Sequence, residues 1–397
     1  MKASLNPYNP GSGLRPPALV GRDRELEALE VTLERARNGL PNRGLILSGL
    51  RGVGKTVLLN EMRSRAEDAG WFVVSLEARP DSAGSASARQ ILARAMTAEA
   101  RKLKPREAVS ERVKSALASI TAFNVRLGAS GIDLGVELAR GRADSGDIEI
   151  DLPEVVQDLC AALGEDNRSF GLFIDELQDL DESLLRALLV TQHQAGQRGW
   201  HFYLIGAGLP HLPGILADVR SYAERLFDYR SIAPLPETES AAALVEPART
   251  ADVTFEPAAL GLLVEASGGY PYFLQEYGRA VWDVAPGPVI AWGDAQAGLV
   301  VGLQRMDDGF FRSRWDRATK SERRMLVAMA EDGEGPSTSS EIAHRMGLKP
   351  TSLGPYRANL INKGLVYAPD HGLVAYTVPG MSDYVHRHQD DLDAAGR

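Results

Sequence analysis

The sequence predicts an α/β protein: a parallel sheet, then a small all-helical segment, then three helices closed by a two-stranded wing. Three observations predict it. Leu45-Ile46-Leu47, Trp71 to Leu76 and Phe170 to Ile174 are short apolar runs of the kind a fully buried parallel strand needs. Strand patterns stop at Pro236, and helical spacing continues over Glu237–Ala248, Glu256–Ser267 and Tyr272–Val284. Beyond about residue 316, three short helical patterns end in two apolar runs that flank Pro369-Asp-His-Gly372.

The chain is organised around Gly44 to Met62. Between the first strand and a helix that begins with Val57 lies Gly49-Leu-Arg-Gly-Val-Gly54-Lys55-Thr56, which fits G-x-x-x-x-G-K-[ST]. Gly49, Gly52 and Gly54 let the backbone curl so that successive N–H groups face phosphate oxygens, with the positive end of the helix behind them. Lys55 is expected to reach the β- and γ-phosphates and the Thr56 hydroxyl to hold Mg²⁺, with Val53 and Val57 completing the nucleotide contacts. The alternative is a tight glycine turn with a solvated lysine. The strand before the loop and the helix after it disfavour that alternative.

At 397 residues the chain is long enough for two or three domains. A charged fraction of 24% beside 44% hydrophobic residues is ordinary for soluble globular protein. No apolar run approaches membrane-spanning length and MKASLNPYNPGSG has no hydrophobic signal core, so a cytoplasmic protein without membrane contact is expected. Cys160 is the single cysteine, which excludes an internal disulfide and reads as a core thiol. A net charge of −9 argues against wholesale coating of nucleic acid and leaves only local basic faces.

In chain order, residues 1–18 are rich in Pro, Gly and Asn and read as an extended arm. Residues 19–235 read as the nucleotide domain, with an insertion over about 79–167. Val20 and Gly21 precede an amphipathic helix that runs to about Ala36. They either flank an adenine base or merely start that helix. Within the insertion, helices are expected over Ser87–Leu103 and Ser110–Ala122, a hairpin over Phe123–Ala139, and a further helix opened by Pro153. That hairpin either meets DNA or a neighbouring subunit, or packs on its own helices.

Phe170 to Asp179 is a buried strand ending in carboxylates, expected beside the first strand. Asp175 suits the water shell of Mg²⁺ and Glu176 suits the polarising of an attacking water. Trp200–Gly206 is a fourth strand and Tyr229–Leu235 a fifth. Arg225, just before the fifth, is placed either to act as a finger cation on a neighbour's ATP or to form a surface salt bridge. Pro271 presents a rigid apolar edge at a helix start, or is simply a structural N-terminal proline. A helix extends from Trp292 to about Arg317. The last helices are expected over Ser321–Glu331, Ser339–Met346 and Thr351–Lys363, with wing strands Leu365–Tyr367 and Leu373–Val378. Three helices and a wing make a winged helix-turn-helix, in which Lys349, Arg357 and Lys363 would meet duplex DNA and Asn359 or Asn362 an adenine edge.

Together GLRGVGKT, LFIDELQDL, ERLF, GGYPYFLQ and the winged helix resemble bacterial ATPases of the AAA+/STAND superfamily, near the archaeal-type and origin-recognition-type ATPases. The resemblance runs from Val20-Gly21-Arg22 to about His388. It implies a P-loop NTPase sheet, a helical lid over residues 236–315 and a winged helix over 316–397, with ATP or ADP and Mg²⁺ as ligands. It also implies adenine contacts near Val20 and Gly21, a Walker B pair at Asp175-Glu176 and an adenine-facing lid proline at Pro271. Two departures stand out. Gly206-Ala207-Gly208 occupies a strand end where a polar sensor is usual, leaving His211 or Gln192 as substitutes, and the lid has no clear sensor arginine unless Arg279 serves. Slow, switch-like hydrolysis is the expectation. The lid would couple nucleotide state to a DNA-binding winged helix, or to one that packs on the core, a protein partner or a second copy. A metabolic phosphotransferase is disfavoured because nothing after Glu176 supplies an acceptor pocket.

Overall fold

The computed structural model describes residues 1–79, 84–103, 110–126 and 142–394. Five strands, β1 (Gly44–Ser48), β2 (Phe72–Glu77), β3 (Phe170–Asp175), β4 (Phe202–Gly208) and β5 (Phe227–Ser231), form one parallel sheet ordered β2-β3-β4-β1-β5. β1 and β4 are buried at every residue, as a strand covered on both faces requires. One face carries α1 (Asp23–Arg37) and α2 (Lys55–Asp68), through Leu29, Leu33, Leu58 and Met62. The other carries α3 (Gly84–Ala100), α4 (Glu111–Arg126), α5 (Ile148–Leu163) and α6 (Glu182–Arg198), through Leu92, Ile120, Val155 and Leu188.

Several expectations change. β3 does not adjoin β1: β4 lies between them and bonds to both. The fifth strand starts at Phe227, two residues early, because Phe227 supplies the buried side chain that seals the sheet edge. Of the hairpin expected over Phe123–Ala139, Phe123 to Arg126 form the end of α4, and the rest lies outside the described residues. Pro153 does not open its helix. The Asp147 carboxylate, six residues ahead of the proline, caps α5 by accepting from the Glu149 N–H at 2.9 Å.

α7 (Leu212–Val219) and α8 (Ala223–Leu226) connect β4 to β5, and the helical segment that follows the sheet comprises α9 (Glu237–Arg249), α10 (Pro257–Ser267), α11 (Pro271–Val284) and α12 (Trp292–Arg305). A π-turn over Met306–Phe311 follows, then α13 (Arg312–Trp315). A parallel pair, β6 (Thr254–Phe255) with β7 (Val289–Ile290), sits where no strand was expected; at two residues each, neither leaves a pattern in the sequence. The C-terminal unit holds α14 (Lys320–Ala330), β8 (Ser337–Thr338), α15 (Ser339–Arg345), α16 (Gly354–Asn362), β9 (Val366–Tyr367), β10 (Leu373–Tyr376) and α17 (Met381–Ala394). Its strands pair antiparallel in the order β8-β10-β9. α17 was not expected. It is held by Tyr384 and Val385, which pack into a cluster running without a break from Leu244 through Phe273 and Phe311 to Val385. No helix among the described residues is long and apolar enough to cross a membrane.

Two cations assigned to DNA are engaged inside the unit. Lys363 Nζ donates to Glu322 at 2.6 Å, and an Arg357 guanidinium N–H donates to the Leu373 carbonyl at 3.4 Å. Glu322 is 2% exposed and also accepts from the Thr319 N–H in the box that caps α14. Burial pushes its carboxyl up, but the hydrogen bonds from Lys363 and Thr319 overcome this and hold it below the usual glutamate range. The resulting stability is complete above the ordinary glutamate pKa and is lost as pH falls through the depressed value. Glu322→Ala should therefore lower stability by about 2 kcal/mol at neutral pH. Denaturant titrations at pH 7 and pH 3.5 should show that difference shrinking in acid; an equal difference at both would contradict the assignment.

Candidate nucleotide site

The glycine loop leaves the C-terminal end of β1, where the Gly49 N–H donates to the Gly208 carbonyl at 3.1 Å. Gly52 and Gly54 have φ of +88° and +91°, a conformation that costs any residue with a Cβ, so the curl of the loop depends on them. Lys55 opens α2 only 7% exposed, its amino group donating to the Leu50 carbonyl at 2.9 Å. Burial pushes its pKa down to about 8, although Glu176 and Asp175 pull the other way. The Thr56 hydroxyl meets Asp175 Oδ2 at 2.7 Å, so the loop after β1 touches the end of β3 across β4. Burial pushes the Asp175 carboxyl up. A hydroxyl and a carboxylate in contact are the hard oxygen donors Mg²⁺ takes, and the buried amine at a helix N-terminus suits a phosphate.

These groups open onto a cavity of about 340 Å³ that is also lined by Gly52, Gly54, Val57, Glu176 and Pro271. Pro271 therefore faces the phosphate loop, where a Cβ at Gly54 would lie 3.9 Å from its ring. Gly49, Val53, Val20 and Gly21 are outside the lining. Val53 is buried beneath the loop, Val20 packs against the helical core, and Gly21 sits against Leu235 and Glu239, so the adenine contacts assigned to Val20 and Gly21 are not formed by this cavity. The residue between them and the site is Arg22, which braces the loop from behind by donating to the Val53 carbonyl at 2.9 Å and the Ala233 carbonyl at 2.8 Å.

Glu176 has φ of +50°, a left-handed strain typical of functional positions, and its carboxylate is held from two sides. Arg51, a residue of the glycine loop, pairs with it at 3.2 Å, and Gln178 Nε2 donates to it at 2.8 Å. Gln178 Oε1 accepts from the Leu209 N–H, which accounts for the apolar end of β4: a Cβ at Gly208 would lie 2.3 Å from that oxygen. Gln178 thus fills the room a polar sensor would take. The two sensor substitutes are committed elsewhere. Gln192 accepts from the Leu204 N–H inside the core, and His211, its pKa lowered by burial, stacks on Tyr367 at 5.7 Å. Arg279 is exposed and outside the lining, as is Arg225 on α8.

Beside Lys55 and Arg51, the cavity is lined by a cation that sequence spacing did not reveal, Arg314 on α13. Its guanidinium lies 3.8 Å from the centre of the Phe310 ring and donates to the Phe310 carbonyl, while its Nε has no partner. No carboxylate pairs with it among the described residues. Burial, then the nearby Arg51 and Arg317 charges, push its pKa down to about 10. A π-turn just before α13 turns this residue inward, and such turns concentrate at functional sites.

Comparisons with known proteins extend this geometry. Residues 18–205 match the family described as AAA ATPase domain, and residues 308–385 match a family described as a domain of unknown function (DUF8462). No curated protein matches the chain. The Walker-type ATPase paby2304 of Pyrococcus abyssi superposes with a TM-score of 0.58 at 16% identity, covering 96% of this chain and 99% of that one, which shows a shared fold. The Aeropyrum pernix ORC1 protein in complex with DNA has a TM-score of 0.47 at 16% identity, covering 96% of each chain. The Thermotoga maritima RuvB Holliday junction branch migration motor has a TM-score of 0.46 at 16% identity, covering 96% of this chain and 99% of that one. The family match, the strand order and the loop of Lys55 and Thr56 against Asp175 agree: the chain carries an AAA+ P-loop ATPase domain and is an ATPase that uses ATP with Mg²⁺.

Proposed function

We propose that this ATPase is a slow nucleotide-dependent switch in which the state of the phosphate loop sets the docking of the C-terminal unit, read as a winged helix. One residue carries the reading. Arg51 pairs with Glu176 through its side chain, and its backbone N–H donates to the Thr377 carbonyl of the C-terminal unit at 2.9 Å. A change at the phosphates therefore acts on the glutamate and on the C-terminal unit through the same loop. Lys55 and the loop amides hold the phosphates, and Thr56 and Asp175 would hold Mg²⁺, which supplies charge neutralisation when bound. Glu176 is the group that polarises water. Its retention by Arg51 and Gln178 supports slow turnover. Arg314 supplies the cation for the terminal phosphate that the lid helix lacks.

The partner of the C-terminal unit is read as protein, because Arg357 and Lys363 are already engaged and the exposed residues Pro355, Ala358, Asn359 and Asn362 of α16 are uncharged. Duplex DNA is the second reading, favoured by exposed Lys349 beside that helix. A second copy of the chain is supported by exposed Arg225, which does not reach its own cavity and is free to reach a neighbour's.

Lys55→Ala should abolish nucleotide binding, whereas Glu176→Gln should retain ATP and lose about 10²–10⁴-fold in turnover. Single-turnover hydrolysis measures both, and unchanged turnover in Glu176→Gln would sink the catalytic assignment.

Because burial pushes the Lys55 pKa down to about 8 before phosphate arrives, binding at pH 9 should take up close to one proton at this group, and binding at pH 6.5 essentially none. Calorimetry in buffers of different ionisation heat reads this directly. Equal uptake at both pH values would rule Lys55 out as the titrating group.

Arg51→Ala should free Glu176 and remove the guanidinium that lies against Gly364 of the C-terminal unit, where a Cβ would stand 3.1 Å from it, raising turnover a few-fold and exposing residues 316–394 to limited proteolysis. ATP-dependent proteolysis of the unaltered protein should move in the same direction. No change in either would refute the switch. Duplex binding by the same samples at low salt, lost in Lys349→Ala, would restore the DNA reading.

A further inference from the structure

The N-terminal segment, which the sequence presents as an extended arm, is fastened to the rest of the chain at several points. The terminal amine donates to the Ala285 carbonyl at 2.5 Å, Trp282 Nε1 donates to the Lys2 carbonyl at 3.0 Å, and Asn6 Nδ2 reaches both the Arg279 carbonyl and Asp283 at 3.0 Å. The first nine residues thus run along α11. Tyr8 is the anchor: it is 3% exposed and its hydroxyl donates to the Leu244 carbonyl. Its ring occupies a notch that exists only because residue 278 is glycine, where a Cβ would stand 2.5 Å from Tyr8 Cδ1. The chain then leaves the lid at Asn9, whose N–H donates to Gln275, and crosses to α2. There a Cβ on Gly13 would stand 3.0 Å from the Thr56 methyl group, and Arg15 pairs with Glu61 at 3.3 Å. Between those two attachments, Pro10 to Leu14 form a wall of the cavity that holds Lys55 and Thr56.

We propose that this arm is a strap that forms part of the nucleotide site, enclosing bound ATP or ADP between Pro10–Leu14 and the phosphate loop, and that its release from the Tyr8 notch governs nucleotide exchange. The proposal rests on the reading of Lys55 and Thr56 as the phosphate site. A ligand held there is covered by a segment attached to the lid at one end and to the ATPase sheet at the other. Lid and core cannot separate while both attachments hold, and nucleotide cannot leave without one of them opening. The composition fits a wall closely approached by a ligand: Pro10, Gly11, Ser12 and Gly13 carry little side-chain bulk, and Gly13 adopts φ of +68°.

The test is release of a fluorescent ADP from the full-length protein by stopped flow. Tyr8→Ala empties the notch and Gly278→Ala fills it, and both should speed release by about tenfold or more, because either frees the strap. Tyr8→Phe keeps the ring in its notch and should stay within about twofold of the unaltered rate. A second readout keeps the test decisive if Tyr8→Ala folds poorly. Ser12→Cys introduces a thiol on the strap, while Cys160 packs against the core and has its thiol pushed up by burial. Maleimide labelling of Ser12→Cys should slow about tenfold when ADP is present, and that protection should vanish when Gly278→Ala is added. Unchanged release in Gly278→Ala together with labelling indifferent to ADP would overturn the strap. Lys55→Ala separates the two layers: full ADP affinity in that variant would overturn the phosphate site itself, whereas its loss beside unaltered release in the strap variants would overturn the strap alone.

Discussion

The hydrogen bond between Thr56 and Asp175 is the contact on which the rest of the site depends, because it joins two strands that are not neighbours. β4 stands between β1 and β3, so the loop after one strand and the carboxylate ending the other meet only if β4 finishes without bulk. Gly206, Ala207 and Gly208 provide that, and the space goes to Leu177 and Gln178: a Cβ at Gly206 would lie 2.7 Å from Leu177 Cδ2. The missing polar sensor and the position of Gln178 are therefore one feature. Small residues on β4 admit Gln178, and Gln178 in turn holds Glu176 and the backbone of Leu209.

The charges around this contact are crowded and poorly solvated. Burial pushes Lys55 and Arg314 down in pKa and lowers Arg317, while it raises Asp175 and takes Asp179 to about 6. Both signs are thus driven towards neutrality by lost hydration. Each cation has only part of what it needs: Lys55 bonds to a loop carbonyl, Arg314 to a carbonyl and a ring face, and the Arg51 Nε has no partner. A bound phosphate chain would supply the negative charge that these cations lack. Arg51 recovers part of its lost hydration by pairing with the Glu176 carboxylate at 3.2 Å.

The C-terminal unit makes the opposite use of charge. Lys363 is spent on Glu322 and Arg345 on Asp332, so cations that look free in the sequence serve to fix α14, α15 and α16 against one another. Among the described residues it meets the ATPase domain at a few places: the Thr377 carbonyl accepts from the phosphate loop, Tyr367 stacks on His211, and Gly364 lies beside the Arg51 guanidinium. Few contacts of this kind are compatible with a unit that docks and undocks, whereas the continuous apolar cluster through Phe311 and Tyr384 ties it firmly to the lid.

The parallel sheet and the glycine loop between its first strand and α2 were legible in the sequence, as were the strand that ends in Asp175 and the helices of the C-terminal unit. Each is encoded locally, by an apolar run, a fixed spacing or a glycine whose φ no other residue tolerates. Only the tertiary structure decided what depends on residues far apart in the chain. Strand order placed β4 between β1 and β3, so adjacency could not be read from Phe170–Asp175 alone. The arm has no periodicity because it forms no element, and its packing follows from a notch at Gly278, some 270 residues away. Arg314 carries no motif, and it reaches the cavity only through the π-turn that precedes α13. Lys363 and Arg357 read as a basic face because a sequence displays charge and hides the partner: Glu322 and the Leu373 carbonyl neutralise them only after the helices have packed.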